Sequence, residues 1–340
     1  MGIEVKVIPL KGAPELLDEF LGLGVTVDLS LLGKNFLTQL LFITSKRMKS
    51  DIWHAHLPQA ELLLAFIRKS QVVVSRHYGG KFYPSAPNFL SMFLSRIATR
   101  RASQIIAISD SVAMYLENSR EVSQHKVVNV VRYGFDESAF NSIIDADDIK
   151  MIKRERFLKF GTLARLSPEK DLETMIRGFS EFSKRISDKP TLEIYGDGSE
   201  RHKLSKLIND LKLDQQVFLM GRTAQVAKTL RGLDCFILSS RFEGFGMVLL
   251  EAMATDLPIV CSRIPAALEV LGEDGAATYF ATGNPTDLSL ALNEIENLNQ
   301  QIRHTQQQLR LKLFGAREMA ESIMEIYRIA LGAQANSPTI

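Results

Sequence analysis

The sequence predicts an α/β protein made of two Rossmann-like domains facing one another across a cleft. Short apolar runs alternate with helix-compatible stretches from one end of the chain to the other, the pattern of parallel strands joined by crossover helices. A length of 340 residues leaves room for two ordinary domains. The alternation is interrupted once, by a polar stretch rich in Asp and Lys over 142–156, which reads as the linker. The expected organisation is a first domain over 1–150, a second over 151–332 and a disordered tail over 333–340.

In chain order, strands are expected at 5–9, 25–30, 51–56, 72–76, 105–109 and 127–131, with helices at 14–20, 36–48, 59–69, 87–101 and 111–116 between them. The second half repeats the scheme, with strands at 157–161, 192–195, 216–220, 235–238, 259–261 and 277–280. Helices fill the gaps. The last, at 316–331, follows a Gln-rich helical segment. In sheets of this kind ligands bind beyond the carboxyl ends of the strands, which is where the polar motifs fall.

Composition excludes several classes of function. Hydrophobic residues make up 46% and charged residues 24% of the chain, as in globular proteins. A net charge of +2 is too mild to point to nucleic acid. Cys235 and Cys261 both lie in apolar strand-like runs and read as small buried thiols, with no disulfide framework and no metal spacing. No apolar run reaches the roughly 18 residues that span a bilayer, and the start lacks a signal-peptide pattern. A cytoplasmic protein is expected. The helices at 36–49 and 88–101 end in the basic clusters Lys46, Arg47, Lys49 and Arg96, Arg100, Arg101. Core-facing helices explain them, and peripheral contact with an anionic membrane face is the functional alternative.

The most specific chemistry lies in Glu243-Gly-Phe-Gly-Met-Val-Leu-Leu-Glu251. A buried strand at 235–238 leads through Ser-Ser-Arg into a glycine loop, and a helix begins at Met247. Unpaired amides at a helix start make an anion site. The flanking carboxylates accept hydrogen bonds only, so vicinal hydroxyls are their natural partners. Diphosphate on amides with hydroxyls on glutamates describes a sugar nucleotide. Elsewhere, Arg165 and Lys170 follow a strand five residues apart and can converge on one anion. His54 and His56 share a strand face; core or cleft-edge histidines are expected there rather than a metal pair. Asp145-Ala-Asp147-Asp148 falls in the linker and reads as a solvated acidic patch.

The composite from strand to Glu251 resembles the Glu-x7-Glu signature of retaining glycosyltransferases of family four, which have the GT-B fold. Further similarity lies in Phe160-Gly-Thr-Leu-Ala-Arg165 through Lys170, in Leu192-Glu-Ile-Tyr-Gly196-Asp-Gly198, in Val217-Phe-Leu-Met-Gly221-Arg222 and in Asp51-Ile-Trp-His54-Ala-His56. Ser75-Arg76-His77 follows, where the family places a histidine facing the donor sugar. The resemblance implies a metal-independent transfer without cofactor, from a nucleotide diphosphate sugar to a hydroxyl of a glycan or lipid-linked acceptor. In that scheme Glu251 holds the ribose, Glu243 with Gly244 the transferred sugar, and the amides of Phe245, Gly246 and Met247 the sugar and phosphates. Arg165 and Lys170 stabilise the leaving diphosphate, Arg222 lies near the base, and His77 positions the sugar.

The chain also departs from the family pattern. Its first apolar run resembles the family's second strand, so the first domain's sheet is expected to lack its first strand and glycine loop. Asp256 stands where a glycine is usual, and Ala266-Ala267 replaces a glycine pair. A non-catalytic remnant acting as a binding protein, or a nucleotide-sugar epimerase, are the alternatives.

Overall fold

The computed structural model describes residues 3–12, 16–45, 50–67, 70–83, 86–142, 159–187, 189–295 and 299–332. The expected acidic patch at 145–148, most of the linker, Lys46, Arg47 and Lys49, and the tail at 333–340 lie outside the described residues. Two compact units emerge, one from Met1–Ala107, Ala113–Val130 and Ile323–Ile340, the other from Ile108–Val112 and Val131–Ser322.

The first unit contains β1 (Lys6–Val7), α1 (Leu17–Gly22), β2 (Thr26–Val27), α2 (Phe36–Thr44), β3 (Ile52–His56), α3 (Pro58–Leu64), β4 (Gln71–Arg76), α4 (Asn88–Arg100), β5 (Gln104–Ala107), most of α5 (Asp110–Ser119) and β6 (Val128–Val130). Its described strands are all parallel but form two sheets, a pair β1-β2 and a four-stranded sheet ordered β3-β4-β5-β6. Val72, Val73 and Val74 are buried because β4 lies inside the sheet and is covered on both faces.

One helix turns a polar face inward. α4 buries Ser91, Ser95, Ala98 and Thr99 and leaves Phe89 and Phe93 more than half exposed. The inward serines have a partner. Arg76 lies buried between Glu61 and Glu121, at 2.7 Å and 3.5 Å, and donates to the Ser95 hydroxyl at 2.7 Å. Ser91 donates to Glu121 at 3.2 Å. A buried charge that must be solvated by protein thus decides which face of α4 turns inward.

The second unit contains α6 (Glu137–Ser142), β7 (Lys159–Leu163), α7 (Leu172–Ser183), β8 (Thr191–Tyr195), α8 (Arg201–Asp210), β9 (Val217–Gly221), α9 (Val226–Arg231), β10 (Cys235–Leu238), α10 (Met247–Ala254), β11 (Ile259–Ser262), α11 (Pro265–Leu271), β12 (Thr278–Phe280), α12 (Pro285–Glu294), α13 (Gln300–Leu311) and the start of α14 (Ala316–Ala330). Six parallel strands form one sheet ordered β12-β11-β10-β7-β8-β9. Its core stacks Phe160 on Phe179 and Phe182, with ring centroids 6.0 and 5.2 Å apart. β10 and β11 are buried along their whole length, with both cysteines inside. Burial raises both thiols well above the ordinary range, so they remain protonated and act as apolar filling.

Helix α6 was not expected from the sequence. Asp136 accepts from the Ala139 amide at 2.9 Å and so caps its start. The preceding segment is held to the second unit by a bridge from Phe135 to Gly315.

Candidate functional site

The order of the six strands creates the site. From β7 the chain runs outward through β8 and β9, then returns to lay β10 against the other side of β7. This reversal is the topological switch point at which open parallel sheets bind ligands. The loops after β7 and β10 carry Arg165–Lys170 and Ser239–Gly246, the two stretches singled out in the sequence. The sheet therefore brings together Lys170 and Glu243, which are 73 positions apart.

Lys170 Nζ donates to Glu243 Oε1 at 2.6 Å and to Oε2 at 2.8 Å. The Ser240 hydroxyl donates to Oε1 at 2.6 Å, and the Ser239 hydroxyl donates to the Lys170 carbonyl at 2.8 Å. Ser262 on β11 fixes this loop by donating to the Ser240 carbonyl at 2.6 Å. The Lys170 and Glu243 side chains are 19% and 10% exposed. A charge-assisted pair so shielded is stronger than one in water, and it holds both groups in one orientation. Arg241 does the same below it, donating to Asp171 at 2.9 Å while its amide donates to the Glu169 carbonyl at 2.8 Å.

The glycine loop turns into α10 through Gly246, whose φ of +94° is left-handed and favours glycine. The amides of Phe245, Gly246 and Met247 donate to no described residue. They are the unpaired donors that make a helix start attractive to an anion. Glu251 lies one turn along α10, half-buried, and among the described residues it has no charged partner. Burial raises its carboxyl above the usual range, so a ligand hydroxyl that donated to it would relieve that cost. Phe245 is buried against Tyr133 and Phe314 and anchors the loop.

Arg165 and Arg222 are exposed, and their side chains form no hydrogen bond with the described residues. Burial tends to raise Glu169, but the Ser167 hydroxyl and the Arg165 charge outweigh it and hold the carboxyl low, which places Arg165 within Coulomb reach of that loop. The Arg165 loop packs tightly on the next one. A Cβ at Gly196 would stand 1.9 Å from the Ala164 carbonyl oxygen, so only glycine lets Ala164 bond to Tyr195 at 2.9 Å.

His77 belongs to the first unit, immediately after β4. It lines a cavity of about 210 Å³ together with Leu57, Pro58, Glu61, Arg76 and Tyr78. Leu57 is held at φ +75°, a costly conformation for a leucine. His54 and His56, expected to be core or edge histidines, sit at the carboxyl end of β3 beside it. Burial lowers the pKa of all three, His54 to about 3 and His77 to about 4. Among the described residues no cluster of His, Cys, Asp and Glu is placed to hold a metal ion.

The sequence did not reveal the roles of Ser240, Ser239 and Ser262. It also missed the set formed by Glu269, Arg132 and Ser109. Glu269 accepts from Arg132 at 2.7 Å and from the Asp110 amide at 3.0 Å, and the Ser109 hydroxyl donates to the Gly244 carbonyl at 2.6 Å. Arg132 also bonds Asp110. Ser-Ser after a buried strand was a usable signal; contacts across more than a hundred positions were not.

Known proteins similar to this chain are glycosyltransferases. Residues 144–312 match the model of the family described as glycosyl transferases group 1. A UDP-N-acetylglucosamine–peptide N-acetylglucosaminyltransferase GtfA subunit from Streptococcus agalactiae is 29% identical over 169 residues, 50% of this chain and 31% of that protein. The chain thus spans about a third of that relative's length. N-acetyl-alpha-D-glucosaminyl L-malate synthase of Bacillus anthracis is 22% identical over 296 residues, covering 83% of this chain and 76% of the relative. Among solved structures, Anabaena HepE in complex with UDP and glucose superposes with a TM-score of 0.78 at 19% identity, over 94% of this chain and 90% of that one. The α/β fold with two parallel-sheet units is therefore that of solved GT-B glycosyltransferases.

Proposed function

We propose that the chain is a retaining, metal-independent glycosyltransferase of family four, moving a hexose-type sugar from a nucleotide diphosphate to a hydroxyl of a glycan or lipid-linked acceptor. The observation that carries this reading is the switch-point constellation: Lys170 bound to Glu243 beside the unpaired amides of the Gly246 turn, with Glu251 one helical turn away. The amides and two cations, Lys170 and Arg165, meet the diphosphate. Glu251 accepts from the ribose and Glu243 from the transferred sugar, and Arg222 lies near the base. His77 positions that sugar.

In the transfer, the bond from the anomeric carbon to the phosphate oxygen breaks while a bond to the acceptor oxygen forms on the same face. The acceptor's proton passes to the departing phosphate oxygen, and the nucleotide diphosphate leaves with the electron pair. No nucleophile from the protein is used. Lys170 stabilises charge that exists only as the bond breaks; Glu243 keeps it extended and neutral overall in the resting site. The exposed Phe89 and Phe93 of α4, near the exposed Arg96 and Arg100 on the same helix, support a peripheral contact with a cytoplasmic membrane face holding the acceptor. No described helix is long and apolar enough to cross a membrane.

A thermal-shift panel of UDP- and GDP-sugars, followed by assay of nucleotide release with EDTA present, tests the reading. Lys170→Ala should lower kcat about 100- to 1000-fold, the usual loss for one such donor, while the variant keeps the wild-type circular dichroism spectrum and a cooperative melt. Unchanged turnover in Lys170→Ala or Glu243→Ala would retire the assignment. Donor binding without transfer to any acceptor would mark a binding protein instead.

A further inference from the structure

The paired histidines of β3 remain outside the mechanism above, yet they are built into a continuous array with His77. In the register of β3 and β4, His54 lies opposite Val73 and His56 opposite Ser75, so both rings share a face at the carboxyl end of the sheet. His54 is fixed at both nitrogens: Nδ1 is 2.6 Å from the Tyr327 hydroxyl and Nε2 is 2.7 Å from the Ser75 hydroxyl. The His56 ring stacks on it, with centroids 4.2 Å apart and planes inclined by 33°. His56 Nδ1 in turn lies 2.8 Å from His77 Nε2.

We propose that His56 is a positioning residue for His77, holding its ring in one orientation and one tautomer through the Nδ1 to Nε2 hydrogen bond. Between two neutral imidazoles that bond contains one proton, so one ring donates and the other accepts. The character of His77 Nδ1, donor or acceptor, then follows from which ring holds the shared proton. The stack on His54, itself anchored by Ser75 and by Tyr327 from the C-terminal helix, holds the His56 ring in place for that bond. Supporting shells of this kind determine whether a reacting group is held well enough to act.

The catalytic consequence rests on the assignment of His77 to the transferred sugar, so the experiment separates the two. Full-length His56→Leu, His56→Asn and His77→Ala are compared with the wild type in two measurements. The first is the ¹⁵N spectrum of the histidine side chains, which reads tautomer without any substrate. The second is kcat and KM for release of nucleotide from the sugar nucleotide selected by the thermal-shift panel. His56→Leu should turn the His77 signals from one tautomer to an exchange-averaged pair. It should also lower kcat about tenfold with donor KM within about twofold, as expected for a lost orienting contact. His56→Asn, whose amide can occupy the place of Nδ1, should restore kcat to within about threefold of the wild type and return the single-tautomer signals. If His77→Ala is inactive while His56→Leu leaves both kcat and the His77 signals unchanged, the proposal is overturned. If His77→Ala retains full activity, the role of His77 in transfer fails, and the spectra still decide whether His56 fixes the ring.

Discussion

The two units repeat one βα pattern and bury it to very different extents. In the second, β7 to β12 form a single sheet, and the helices over it bury long apolar faces: α7 alone buries Leu172, Met175, Ile176, Phe179 and Phe182. In the first, β1, β2 and α1 contain no buried residue. α2 buries only Gln39 and Ile43 among nine residues, although Leu37 and Leu41 on it are apolar and 64% exposed. Apolar periodicity specifies what kind of element forms. Whether that element is buried depends on the surface opposite it, and a pair of two-residue strands offers little. Apolar burial in the first unit is concentrated around β3 to β5, as at Leu63, Val73, Val74 and Ile105, and polar anchors add to it: the Arg76 cluster, the histidine array, and Gln39, which donates to the Leu31 carbonyl at 3.0 Å.

The largest effect should separate the units most sharply. Phe160→Ala opens a void among packed rings and should cost about 3–5 kcal/mol, while Leu41→Ala on α2 should cost less than about 0.5 kcal/mol; urea melts of both variants check this. Similar losses from the two would erase the contrast. The polar anchor is tested by Arg76→Met, which strands two buried carboxylates and should destabilise the first unit by about 3–5 kcal/mol. Hydrogen exchange resolved by segment should show the loss in β3 to β6 and leave β7 to β12 protected.

A smaller effect follows from acid. His54 has its pKa lowered by burial to about 3, against about 6.5 when unfolded. Its neutral form therefore contributes stability that is present above pH 6.5 and is lost as the pH falls toward 3, at about 1 kcal/mol per pH unit. His54→Gln should flatten that slope in thermal melts between pH 6.5 and 4, and a wild-type slope left intact would show that other groups set it. Smallest of all, Lys203→Ala removes surface pairs with Glu173 and Glu200; its urea midpoint should coincide with that of the wild type.

Much of this was legible in advance. Every expected strand is present, because each is a short apolar run between turn signals. The Glu243 to Glu251 stretch could be read because strand, glycine turn and helix start are contiguous, and the left-handed Gly246 falls where the turn requires it. The orientation of α4 was not legible. Phe89 and Phe93 are its large apolar residues, yet Ser91 and Ser95 are the ones turned inward, where they solvate buried Glu121 and Arg76.

By itself, then, the sequence determined the alternation of elements, the parallel sheets and the glycine turn from β10 into α10, since these depend on interactions between residues close along the chain. The tertiary structure alone decided that Lys170 meets Glu243 and that His56 meets His77. Those pairs exist because neighbouring parallel strands end at the same edge of a sheet, and strand order is fixed by packing of distant segments that no local pattern records.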